Sequence, residues 1–184
     1  MTLGVKIGCE PGSTAPDCPP SWPTQVAQLR PDVVLLAESG FWSFVPIKIG
    51  ASVFGLERQE WIEHWTSERA AVIDEMLRAG ARKVAVTTLP CFPPAWWRRF
   101  PRLAPSHTER ANASLVAIAA SRSGRVALLD LAELECPGGS FRSGIGDVAQ
   151  MRYDGLHYTD AGSDLIGRWL APRIAELARS DSGR

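Results

Sequence analysis

Three short apolar runs limit the folds open to this chain: Pro31-Asp32-Val33-Val34-Leu35-Leu36-Ala37, Lys83-Val84-Ala85-Val86-Thr87-Thr88-Leu89 and Arg125-Val126-Ala127-Leu128-Leu129-Asp130. Each is nearly continuous in Val, Leu and Ala, with no alternation between apolar and polar positions. A strand with one wet face alternates, whereas a strand covered on both faces does not. The runs therefore predict parallel strands between two layers of helix. Leu3 to Ile7 reads as a further strand ahead of them.

Helical patterns fill the intervals. Ile62, Trp65, Arg69, Val72, Ile73, Met76 and Leu77 recur at helical spacing, and Gly80 stands where a helix stop belongs. A second helix over 106–121 carries Leu115, Ile118 and Ala119 on one side. A last helix starts at Thr159 or Asp160, either a good N-cap, and buries Leu165, Ile166, Trp169 and Leu170. Pro172 is expected to kink it before Ile174 and Leu177 continue the face. The alternation predicts a three-layer, doubly wound α/β sandwich with a parallel sheet, formed as a single domain over residues 1–184. No internal repeat or linker divides it.

Two stretches read as irregular loops after strands: Gly40 to Leu56, with Phe41, Trp42, Phe44 and Phe54, and Pro90 to Pro105, with Trp96, Trp97, Arg98 and Arg99. Open α/β sheets bind ligands beyond the carboxyl ends of their strands, where both loops fall. For any one of these tryptophans packing is the plainer reading; their shared placement is what points to a site.

Formal net charge is zero and the arginines are scattered, so nothing steers the chain to nucleic acid or an anionic membrane surface. No apolar run reaches the roughly 18 residues of a membrane span, and the N-terminal apolar stretch is too short for a signal peptide. As written the chain reads as cytoplasmic; a true N-terminus further upstream would make it extracytoplasmic. Of the four cysteines, Cys9 and Cys18 flank a loop rich in Pro, Gly and Ser. They either close it as a disulfide in an exported domain or remain thiols in a cytosolic one, and the sequence favours neither. Without a CxxC pair, no metal site is expected.

The chemistry concentrates in Arg152-Tyr153-Asp154-Gly155-Leu156-His157-Tyr158-Thr159. An Asp and a His three residues apart on a Gly-containing turn form a compact acid–base unit. The carboxylate can accept from one imidazole nitrogen, leaving the other to take a proton from a hydroxyl nucleophile. The remaining candidates are weaker. Ser39 ends a strand, where a small residue is usually satisfied by backbone; Ser13 and Ser43 carry less still. Glu38 and Asp130 end strands and read as caps or loop holders. His64 reads as helix packing and His107 as a neighbour of a helix start.

The Asp154-to-His157 block resembles the last conserved block of the SGNH, or GDSL-like, hydrolases. Residues 31–42 are similar to the strand and loop that supply that family's oxyanion hole. Residues 80–90 are similar to its next strand with a proline exit, and Glu109-Arg110-Ala111-Asn112 to the start of the following helix. Gly8-Cys9, Cys18 and Trp22-Pro23 resemble the SGNH domains fused to membrane acyltransferases that O-acetylate surface polysaccharides. The resemblance covers the chain from Val5 to Ile174.

It implies an SGNH/flavodoxin-like sandwich and a serine esterase or O-acyl (acetyl) transfer activity on an acylated small molecule or saccharide, without a cofactor. An acyltransferase membrane domain is the implied partner. His157 would be the general base, Asp154 its orienting carboxylate, and Gly40 with Trp42 the oxyanion and substrate loop. Two departures stand against it. No Gly-Asp-Ser occurs, so the nucleophile is unassigned and the first strand of the family's sheet is expected to be absent, leaving an open groove and a chain that is inactive as written. Trp42 also stands at the family's Asn position, which removes a side-chain donor, although Gly40 keeps its N–H. The competing expectation is a non-catalytic carbohydrate-binding remnant, with Trp42, Trp96 and Trp97 stacking on sugar rings.

Overall fold

The computed structural model describes residues 21–38 and 44–180. The three apolar runs form a parallel sheet: β1 (Val33–Leu36), β4 (Lys83–Thr87) and β5 (Val126–Leu129), in the order β1-β4-β5. Val34 pairs with Val84 and Val84 with Val126, so the strands run in step. Every residue of β4 is buried, as an unbroken apolar run between two neighbours requires.

The helices lie on both sides. Helix α1 (Trp22–Leu29), α2 (Gln59–Arg78) and α4 (Pro105–Ser121) bury Val26, Trp61, Ile62, Trp65, Ile73, Met76, Leu115 and Ile118 in one cluster with Val34, Val84 and Val86. The alternate β4 positions, Ala85 and Thr87, point to the opposite face. There α6 (Asp160–Arg179) packs against β1 and β4. A second, smaller cluster joins Leu131, Val148, Met151 and Ile166. The architecture is thus a mixed α/β fold with a three-stranded parallel sheet flanked by helices.

Helix boundaries follow local chemistry. Ser21 caps α1 by accepting from Thr24 N–H, and Thr159 caps α6 by accepting from Gly162 N–H at 3.0 Å. Gly80, at φ +111°, follows α2 in a conformation that side chains resist. The expected kink at Pro172 does not interrupt the helix, which runs through it to Arg179.

One expectation needs correction. The stretch from Gly40 to Leu56 is not irregular throughout, because β2 (Ile47–Ile49) and β3 (Ser52–Phe54) pair as an antiparallel hairpin. Three residues per strand are too few for periodicity to reveal. The Pro90–Pro105 stretch also holds a short helix, α3 (Pro94–Arg99), and a single 3-10 turn, Pro101–Leu103.

Among the described residues β1 pairs only with β4, and a groove of about 1040 Å³ runs along its other edge. Trp22 and Val26 of α1, Val72 of α2, Ile174 of α6 and the strand residues Val34 and Leu36 line it. The further strand expected at Leu3 to Ile7 lies outside the described residues.

Candidate functional site

The Asp154–His157 pair sits on a loop whose neck is a single antiparallel bridge between Arg152 and Tyr158. Tyr153 N–H donates to His157 O at 3.0 Å, and Thr159 N–H donates to Met151 O at 2.9 Å. Two glycines make the placement feasible. Gly155 has φ +85°, and a Cβ there would lie 2.6 Å from Pro93 Cγ. A Cβ on Gly162 would lie 2.2 Å from Met151 O, so the first turn of α6 rests directly on the loop's backbone. Pro93 and Trp96 belong to the segment after β4, which places the turn beyond the carboxyl end of that strand.

Asp154 works with both oxygens. Its Oδ1 accepts from the N–H groups of Leu156 and His157, each at 2.8 Å, and its Oδ2 lies 2.8 Å from His157 Nδ1. Burial pushes the Asp154 carboxyl up, but the His157 N–H, the imidazole and the Leu156 N–H together outweigh it and hold the group at about 2. A carboxylate ionised at all ordinary pH values is purely an acceptor, so a neutral imidazole carries its hydrogen on Nδ1 and bares Nε2. The His157 side chain is 61% exposed, and among the described residues only its Nδ1 is hydrogen-bonded. Tyr153 stacks on the ring with centroids 5.7 Å apart. This unit can accept a proton and has a fixed carboxylate to stabilise the cation that results.

No protein-family model matches the chain, and no curated protein matches it.

The other sequence candidates among the described residues hold structure. Asp130 caps α5 (Leu131–Glu135) by accepting from Glu133 N–H at 3.1 Å, and it accepts from Thr88 Oγ1 at 2.9 Å. Glu38 is paired with Arg69 at 3.4 Å, and its N–H donates to Thr87 Oγ1 at 3.3 Å. Asn112 brackets the exit of β4: its side chain accepts from Leu89 N–H at 2.7 Å and donates to Leu89 O at 2.9 Å. Arg110 donates to Leu56 O at 2.9 Å.

His64 is half-buried on α2, and His107 is half-buried in the first turn of α4, where burial pushes its pKa down. Neither approaches the character of His157. Trp96 stacks on Phe100 and donates from Nε1 to Asp154 O at 2.5 Å, while Trp97 packs against the main core. Both are half-buried and packed against the main core. Gly40, Trp42, Ser39, Ser43, Ser13, Cys9 and Cys18 lie outside the described residues.

Sequence reasoning missed what lies beneath the loop. Cys91, after β4, is bonded to Cys136, at the end of α5, with Cα atoms 6.1 Å apart. Next to it Glu135 is buried, with Oε2 3.1 Å from Arg152 Nη2 in an ion pair and Oε1 accepting from the Tyr158 hydroxyl. Burial pushes the Glu135 carboxyl up, against the pull of Arg152 and Tyr158. The Tyr158 phenol is pushed well above its ordinary range by the same burial and the nearby carboxylate, so it stays a donor. No local spacing signals this cluster. The one hint is that Arg152 and Tyr158 flank the Asp-x-x-His block, one on each side.

Proposed function

We propose that this chain is an SGNH-type serine ester hydrolase or O-acyl (acetyl) transfer domain acting on acylated carbohydrate. The observation that carries the reading is the 2.8 Å contact between Asp154 Oδ2 and His157 Nδ1 on an exposed loop beyond the carboxyl end of a parallel sheet. The nucleophile in this reading is a serine delivered on a strand seated in the groove beside β1. Attack of its hydroxyl on the acyl carbon transfers the proton to His157 Nε2, and Asp154 stabilises the imidazolium. In this reading Gly40, through its N–H, and Trp42 supply the oxyanion and substrate loop. Collapse expels the saccharide oxygen, which recovers the proton from His157. Water then releases the acyl group in hydrolysis, or an acceptor hydroxyl takes it in transfer. The Cys91–Cys136 bridge supports an oxidising, extracytoplasmic setting, where such bonds persist. A membrane acyltransferase domain is the partner that fits.

The test is to join a Gly-Asp-Ser strand ahead of Met1 and assay nitrophenyl acetate. Hydrolysis is expected, falling on the order of a thousandfold in His157→Ala and less in Asp154→Asn. If no ester is hydrolysed, or His157→Ala leaves the rate unchanged, the turn is structural.

A further inference from the structure

The exposed dyad stands on a buried ionic root. Tyr153, Asp154 and His157 face solvent, whereas the side chains of Arg152 and Glu135 are each only 2% exposed. Arg152 and Tyr158 are the two residues that close the neck of the loop, one on each side. Both send their side chains to the same carboxylate: Arg152 Nη2 pairs with Glu135 Oε2, and the Tyr158 hydroxyl donates to Glu135 Oε1. Arg152 also reaches into the loop and away from it. Its Nη1 donates to Gly155 O at 3.2 Å, and its Nη2 donates to Cys91 O at 3.0 Å.

Glu135 is itself anchored, because the next residue is disulfide-bonded to Cys91 and Cys91 N–H lies 3.1 Å from Cys136 Sγ. A buried ion pair is a weak source of stability compared with apolar packing of the same volume. What it supplies here is direction. Two apolar residues at the neck could pack in several ways, whereas one carboxylate shared by two donors sets the relative position of the loop's two ends.

We infer that Glu135 is a positioning residue for the Asp154–His157 pair, acting through Arg152 and Tyr158 to fix where the imidazole points. Its meaning for catalysis rests on the esterase reading above; its effect on the imidazole does not. The loop is short, so a shift at its neck changes the spacing between Asp154 Oδ2 and His157 Nδ1 directly. Glu135 touches neither of those atoms.

The experiment reads the hydrogen-bonded Nδ1–H proton of His157 by NMR on the chain as it stands, in wild type, Glu135→Gln and Tyr158→Phe. In Glu135→Gln the proton is expected to exchange with water at least about tenfold faster, and in Tyr158→Phe by a smaller factor, while the amide spectrum stays dispersed. Unchanged exchange in a folded Glu135→Gln overturns the inference. If Glu135→Gln does not fold, Tyr158→Phe decides, since it removes one hydroxyl and keeps the ring. If neither folds, Glu135 serves overall stability and the positioning role falls. No ester enters this measurement. Failure of the nitrophenyl acetate assay therefore leaves it standing, and its failure leaves the ester chemistry untouched.

Discussion

The two flanks of this sheet are finished to different degrees. At the loop of residues 152–158 most polar groups are engaged: a carboxylate with three contacts, a guanidinium shared among three partners, a disulfide beneath and a capped helix beside it. At β1 the same fold offers four apolar residues and a groove. Apart from the Glu38–Arg69 pair the groove's lining is apolar, and an apolar strand edge invites pairing. Among the described residues the Asp154–His157 pair is held by a dense set of contacts, while β1 pairs on one side and borders a groove on the other.

From that contrast, the largest loss of stability should come from the root of the loop. Arg152→Ala removes one member of a buried pair and strands the Glu135 carboxylate, and the expected cost is about 3–5 kcal/mol in denaturant unfolding. A cost below about 1 kcal/mol would mean the loop is not pinned as described. Replacing both Cys91 and Cys136 by Ser should cost about 2–4 kcal/mol by freeing the closed segment of the unfolded chain. It should also quicken local exchange around Met151 to Tyr158 more than in β4.

Within the sheet the comparison sharpens. Val86→Ala, in the covered strand, should cost about 2 kcal/mol for two buried methyl groups and the space they leave. Leu35→Ala removes more atoms, but from a half-buried residue lining the groove, and should cost about 1 kcal/mol or less. Equal losses would show that the β1 edge is as well covered as the centre.

The smallest effect is electrostatic. The folded-state value of Asp154, about 2, lies below its ordinary 3.8. Its contribution is therefore fully present above about pH 4 and lost as the pH falls from there toward 2. Solvent screens much of it, so Asp154→Asn should flatten the acid limb of the stability curve only slightly.

How far the sequence led depended on the range of the interaction. The three strands were legible because burial on both faces writes an unbroken apolar run, and α6 because Thr159 is a cap that acts over three residues. Asp154 and His157 were legible because their contact is local. Cys91–Cys136 and Glu135 were not, since 45 residues separate the bonded cysteines and only the meeting of the segment after β4 with α5 brings them together. Glu135 alone reads as one more charge on a short helix.

The central claim is that this chain by itself holds His157 as a base with Nε2 bare. Long-range proton–nitrogen correlation of the imidazole tests it most directly. The account predicts one tautomer, with the hydrogen on Nδ1 and Nε2 unprotonated, and Asp154→Asn should disturb that preference. A ring protonated on Nε2, or one exchanging freely between tautomers in the wild type, would contradict it.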